Sequence, residues 1–180
     1  MASVKRELLI HFYFWVSFFV LVILFKQYFS LIYWPFVLGG LFGIILPDVD
    51  HILYVYLIKP QDLSSQRVNY LVNKKELVRG VELLYETRNE RKGLIFHSIL
   101  FQLIFLVLTF WIVSSSGSFF GTGLALSFAL HLSVDQLIDI TELGNLDNWF
   151  SNLPFKLDLK QSKIYIGVST ALVLIFGMFL

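Results

Sequence analysis

Residues 119–140 read FFGTGLALSFALHLSVDQLIDI, and this stretch decides the fold. It is longer than the eighteen or so apolar residues needed to cross roughly 30 Å of hydrocarbon. It nevertheless carries a histidine and an aspartate four residues apart, His131 and Asp135. Four further apolar runs surround it: 8–25, 29–58, 94–113 and 164–180, the second interrupted by Pro47, Asp48, Asp50 and His51. The whole chain of 180 residues is 57% hydrophobic and 15% charged, with a mean hydropathy of +0.73. A water-soluble domain has about 45–50% apolar and about 25% charged residues. That excludes a soluble enzyme, a nucleic-acid-binding module and a disordered chain. A net charge of +1 gives no basic excess for DNA or RNA, and the absence of cysteine removes disulfides, thiolate metal sites and redox dithiols. The expected fold is all-α: a polytopic membrane bundle of about five transmembrane helices, forming one domain over 1–180.

Lysine and arginine set the expected orientation. With the N-terminus in the cytoplasm, thirteen of the fourteen positive charges fall on the inner side and only Lys26 lies outside. The 59–93 segment then becomes a cytoplasmic connector. Val68, Leu71, Val72, Val78, Val81, Leu84 and Tyr85 recur along it at roughly helical spacing, which predicts an amphipathic helix on the inner leaflet or a cover over a site. Residues 145–160, with Trp149, Phe150 and Phe155, are expected to lie flat at the interface. Gly39/Gly43 and Gly117/Gly121 are small pairs four apart that allow close helix packing.

All four histidines, together with Asp48, Asp50 and Asp135, lie in apolar stretches, where ionisable groups are costly and mark sites that face the bundle interior. At about 1.5 Å per residue, His11 and His97 lie about 8 Å below the cytoplasmic surface, His51 about 12 Å, His131 about 14 Å and Asp48 about 16 Å. Four helices thus place histidines in one thin layer on one side. His11, Asp48, Asp50, His51, His97, His131 and Asp135 are the expected metal ligands. Imidazole and carboxylate without thiolate point first to zinc, with manganese or iron as other divalent candidates, as one or two ions. Ser127 and Asp139 continue the His131/Asp135 face as supporting partners. Whichever of Asp48 and Asp50 is not fully engaged is the expected general base. Arg91 and Lys92 at the mouth are the expected phosphate-binding residues. An ion-conducting pore would carry polar groups through the whole bilayer, and the outer half here is nearly all apolar.

The elements Leu46-Pro47-Asp48-Val49-Asp50-His51, then Arg91, Gly93 and His97-Ser98, then His131-x-x-x-Asp135 resemble the YdjM-like small membrane-bound metal-dependent hydrolases. His11 in the first helix and Pro154-Phe155 match further features of that family. The resemblance spans about residues 8–156. It implies distant similarity to the all-helical zinc-dependent phospholipase C and nuclease fold. It further implies phosphoester hydrolysis in a lipid or lipid-linked substrate, in a prokaryotic cytoplasmic membrane. The chain departs from the family at Arg91-Lys92-Gly93-Leu94-Ile95-Phe96-His97-Ser98, which lacks a first histidine and has Phe96 where threonine is usual. Type 2 phosphatidic acid phosphatases share a His-x-x-x-Asp pair, but their Lys/Arg-Pro clamp and Pro-Ser-Gly-His element are missing here. The alternative from another class is a non-catalytic, metal-stabilised membrane scaffold or partner subunit with a closed ligand shell.

Overall fold

The computed structural model describes residues 2–179, so Met1 and the expected end of the last run at Leu180 lie outside the described residues. Eight α-helices follow one another: α1 Ala2–Lys26, α2 Trp34–Gly43, α3 Val49–Leu53, α4 Leu63–Asn73, α5 Leu77–Glu86, α6 Ile99–Ser115, α7 Phe119–Glu142 and α8 Leu159–Phe179. The protein is an all-helical bundle, and four of its segments (Val4–Lys26, Leu31–Ile58, Phe119–Glu142 and Leu159–Phe179) are long and apolar enough to cross a membrane. The expected third run is shorter than its sequence suggests. Residues 94–98 form a non-helical, bent stretch, and α6 keeps only 17 residues.

α7 is the central helix. Nearly every residue from Gly123 to Asp139 on it is buried. Aromatic residues of α1, α2 and α8 (Trp15, Phe18, Phe19, Phe36 and Phe176) pack on one side of it. Ile99, Phe128, Trp149 and Phe150 form a second cluster on the other. Trp149 and Phe150 are therefore core residues rather than interfacial ones, and only Phe155 of that trio is exposed.

The closest helix contact is α2 against α7. A Cβ built on Gly39 would stand 2.1 Å from the Phe120 carbonyl oxygen, and one on Gly123 2.0 Å from that of Phe36. The small-residue seam uses Gly39 and Gly43 as expected, but its partner on α7 is Gly123. Gly117 has open space around it and Gly121 meets little beyond Ser118 of its own cap.

The helix break at Pro47 also holds. α2 stops at Gly43, a 3₁₀ turn covers Leu46–Asp48, and α3 resumes for five residues before a π-helical turn at Tyr54–Ile58. Proline has no N–H to donate and crowds the preceding turn, so the helical ladder cannot run through it. The 59–93 connector forms two helices instead of one. Glu76 N–H bonds Leu71 O and Lys75 N–H bonds Val72 O, with Lys75 at φ 61°, which is a Schellman stop closing α4. Glycine usually marks such a stop, and a lysine hides it. On α6, α7 and α8, Gln102 and Gln136 exchange amide hydrogen bonds and the Tyr165 hydroxyl donates to Gln102 Oε1 at 2.6 Å, joining three apolar helices by a buried polar knot.

Candidate metal centre

The centre is built on one stripe of α7. Ser127, His131, Asp135 and Asp139 recur every fourth residue and all are buried. The close α2–α7 contact lets Ser127 and His131 reach carbonyls at the C-terminal end of α2 and its cap. Ser127 Oγ donates to Gly40 O at 2.7 Å, and His131 Nδ1 donates to Ile44 O at 2.7 Å. Ile44 O is open to this bond because Asp48 N–H turns to Ile45 O in the 3₁₀ turn. The proline break thus sets the histidine tautomer. A carbonyl only accepts, so Nδ1 carries the hydrogen and Nε2 of the neutral ring presents a lone pair.

His11 repeats this arrangement from α1. Its Nδ1 donates to Glu7 O at 3.0 Å, which leaves Nε2 as the lone-pair nitrogen. His11 Nε2 lies 3.3 Å from Asp135 Oδ1, and His131 Nε2 lies 3.1 Å from Asp135 Oδ2. Both nitrogens are buried without a hydrogen-bond partner. Their rings are 4.3 Å apart. His11, His131 and Asp135 form a group whose ligand atoms all lie within 4.8 Å of one another and could hold a metal ion. Asp48 Oδ1 stands 3.6 Å from His131 Nε2, with its side chain 34% exposed at the edge of the group.

The other expected ligands have different surroundings. Asp50 is fully buried, and both its oxygens are taken up by the bent 94–98 segment. Oδ1 accepts the Ile95 N–H at 3.1 Å, and Oδ2 accepts those of Phe96 at 2.6 Å and His97 at 3.2 Å. This carboxylate is what shortens α6, and it delivers His97 from a loop rather than a helix. His97 is bracketed by two acids, with Nδ1 3.3 Å from Asp50 Oδ2 and Nε2 2.9 Å from Asp135 Oδ2. His51 stacks 5.0 Å from His97, and its Nδ1 accepts from Arg91 Nε at 3.3 Å. Asp50, His51 and His97 therefore surround the three-residue group without joining it. An Asp50→Ala variant should lose about 2–3 kcal/mol, because three N–H groups, that of His97 buried, lose their acceptor. Thermal unfolding in detergent measures this, and an unchanged midpoint would contradict the role.

Arg91 is also placed differently from expectation. It is 1% exposed, and its guanidinium donates to Thr87 Oγ1 at 2.9 Å, to Leu84 O and to His51. Burial pulls it down to about 10. With its donors committed to the chain itself, it braces the segment that follows α5 against the end of that helix and against His51. Lys92 is exposed and lines neither cavity beside the centre.

The cation that does reach the centre is Arg88, just after α5. It bonds Glu7 Oε1 at 2.7 Å and also Asp139 Oδ1. Burial opposes its charge, but the Asp139, Asp135 and Glu7 carboxylates outweigh that and hold it above the usual arginine range. Trp149 Nε1 donates to the other oxygen of Asp139 at 2.7 Å. Five carboxylates (Glu7, Asp48, Asp50, Asp135 and Asp139) thus lie around two guanidiniums and His97, both of whose ring nitrogens face a carboxylate and so carry hydrogen, and the carboxylates still outnumber the cations.

No protein-family model, curated protein or solved structure matches the chain.

Proposed function

We propose that the protein is a membrane-embedded, metal-dependent hydrolase of a phosphoester in a lipid or lipid-linked substrate. One divalent cation, zinc in the first instance, would be held by His11 Nε2, His131 Nε2 and Asp135. The observation that carries this reading is the convergence of three acceptors on one point. Two partnerless imidazole lone pairs and a carboxylate repel each other unless a cation or protons lie between them. The excess of negative charge around them favours a divalent ion, and nitrogen–oxygen donors without sulfur suit zinc, manganese or iron. Both histidines are oriented by carbonyls behind them, as ligating imidazoles are.

Such an ion supplies Lewis acidity and lowers the pKa of a water beside it. Asp48 is the group that would accept the water's proton, since its carboxylate borders the cluster and Asp50 is tied to backbone amides. Asp50 acts by positioning His97, and Arg88 is the cation available to a phosphoryl group. A cavity of 150 Å³ lined by His11, Asp48, His51 and Asp135 adjoins the group. That space favours a working site over a closed, purely structural one. The motif resemblance to the YdjM-like hydrolases supports the same chemistry in a prokaryotic cytoplasmic membrane, and the positive-inside pattern supports a centre in its cytoplasmic half.

Elemental analysis of tag-free purified protein should find about one divalent transition metal per chain. Asp48→Asn should keep that metal while phosphate release falls by roughly 10²–10⁴-fold, the range of a lost general base. Protein with no stoichiometric metal would end the proposal, and an unimpaired Asp48→Asn would end the assignment of the base.

A further inference from the structure

Two cavities meet at the centre and share His51, Arg88 and Asp135. They differ in lining and size. The larger, 150 Å³, lies between α1, α3 and α5, and Ile52, Val81, Leu84 and Tyr85 make most of its wall around Glu7 and Asp48. The smaller, 40 Å³, opens between the 88–94 loop and the 145–149 turns, where Arg88, Asn89 and Asn148 form its rim. At about 10–15 Å³ per water, the smaller cavity holds about three waters, the scale of one phosphate group, and no acyl chain passes it.

The larger cavity has an apolar, outward-turned side, with Ile52 and Val81 of its lining exposed. α1 and α3 scarcely touch each other. The α3 flank beside Asp48 is turned outward, with Ile52 51% exposed, and Leu8 and Phe12 are exposed on α1. In a membrane bundle such faces meet lipid. α5 covers this opening from the charged end through Val81, Leu84 and Tyr85.

Resting on the hydrolase reading above, we infer that the substrate is a phosphomonoester of a membrane-embedded alcohol, taken in between α1 and α3 beneath α5. Its phosphate reaches the centre from the bilayer side, and inorganic phosphate leaves by the Arg88–Asn89–Asn148 mouth. The water oxygen bonds to phosphorus, the phosphorus–oxygen bond to the lipid alcohol breaks, and the water proton ends on the alcohol oxygen. One ester and one water thus give one alcohol, retained in the bilayer, and one hydrogen phosphate. Arg88 lines both cavities, so the direction comes from the rest of the lining: Arg91, Asn89 and Asn148 beside Asp139 on the small side, against the carboxylates of Glu7 and Asp48 on the large side. A diester would release a phosphorylated head group too large for the small mouth.

The test uses the full-length protein in phosphatidylcholine vesicles with a phosphatidic acid probe that carries a mid-chain diazirine. Photolabelling should fall on Phe12, residues 45–52 and α5, at least tenfold above that from a phosphatidylcholine diazirine. Ile52→Trp, which puts an indole across the opening, should cut this labelling tenfold or more, whereas Leu103→Trp on the lipid-facing side of α6 should not. Equal labelling by the two probes, or labelling spread over α6 and α8, overturns the inference. In parallel, metal-replete protein should release phosphate from vesicle phosphatidic acid at least 10²-fold faster than from soluble glycerol phosphate, with no head-group release from phosphatidylglycerol. If the soluble ester or the diester is cleaved as fast, the lipid phosphomonoester inference fails and the hydrolase reading stands. If metal-replete protein cleaves none of the three, the hydrolase reading fails and takes the inference with it.

Discussion

Replacing His131 with alanine should remove nearly all bound metal, to below about a tenth of the wild-type content. The loss should exceed the roughly 10–100-fold in affinity that removing an outer partner of a ligand costs, because a ligand itself is lost. His131 is 1% exposed, and its Nε2 points at Asp135 with no hydrogen-bond partner. The same substitution leaves Ile44 O without its donor, which adds about 1–3 kcal/mol of destabilisation. His11→Ala separates the two effects. Glu7 O lies inside α1, where the main-chain ladder serves it, so His11→Ala should lose the metal with little loss of intrinsic stability. Chelator should then lower the unfolding temperature of the wild type and leave that of His11→Ala unchanged. Stabilisation by a ligand at a hundredfold excess over its Kd is about 2.7 kcal/mol, ample for detection. Full metal content in either variant would remove the cluster as the metal site.

Much of this centre could be read along the chain, and the unread part follows from tertiary structure. The i,i+4 stripe on α7 is local geometry, so Ser127, His131, Asp135 and Asp139 were visible as one face, and the helix break at Pro47 follows from proline chemistry. Asp48 and Asp50 could not be told apart. They sit two residues apart across a 3₁₀-to-α junction, where the direction of a side chain depends on turn geometry that no periodicity fixes. Glu7 precedes the first apolar run and looks solvated, and Arg88 is one of many inner-side cations. Only the approach of α1 and α7 to the same loop turns them into a buried pair. Trp149 was misplaced for a related reason. An aromatic residue near a helix end suits an interface, but here Asp139 on α7, paired with Arg88 through one oxygen, draws the indole N–H inward with the other. The bent stretch after Gly93, itself at φ +83°, exists because Asp50 collects three of its N–H groups, a contact 45 to 47 residues away that no local pattern shows.

The second large effect is expected at Gly123, far from any ligand atom. Glycine is a poor helix former, and replacing it with alanine in a helix ordinarily gains about 1 kcal/mol. Gly167 on α8, with open space where a Cβ would go, should show that ordinary gain. At Gly123 the sign should reverse, because the added Cβ would lie 2.0 Å from Phe36 O and 2.8 Å from Phe36 C. These are backbone atoms, which cannot rotate away as a side-chain tip would, so α2 and α7 must separate. Gly39 and Gly43 face α7 backbone at similar distances, and the whole seam opens together. Gly123→Ala should cost about 2–4 kcal/mol, and Gly123→Leu more than about 4 kcal/mol, beyond the usual overpacking range. Separation of the helices also breaks the Ser127–Gly40 and His131–Ile44 hydrogen bonds, both 2.7 Å long. Metal content should therefore fall in Gly123→Ala even where the protein remains folded, and it should be unchanged in Gly167→Ala. If Gly123→Ala kept both its unfolding temperature and its metal, the α2–α7 contact would not be what aims His131. The helix break and the glycine seam would then be separate features, whereas the structure makes the first useful only because the second brings Ile44 O within reach.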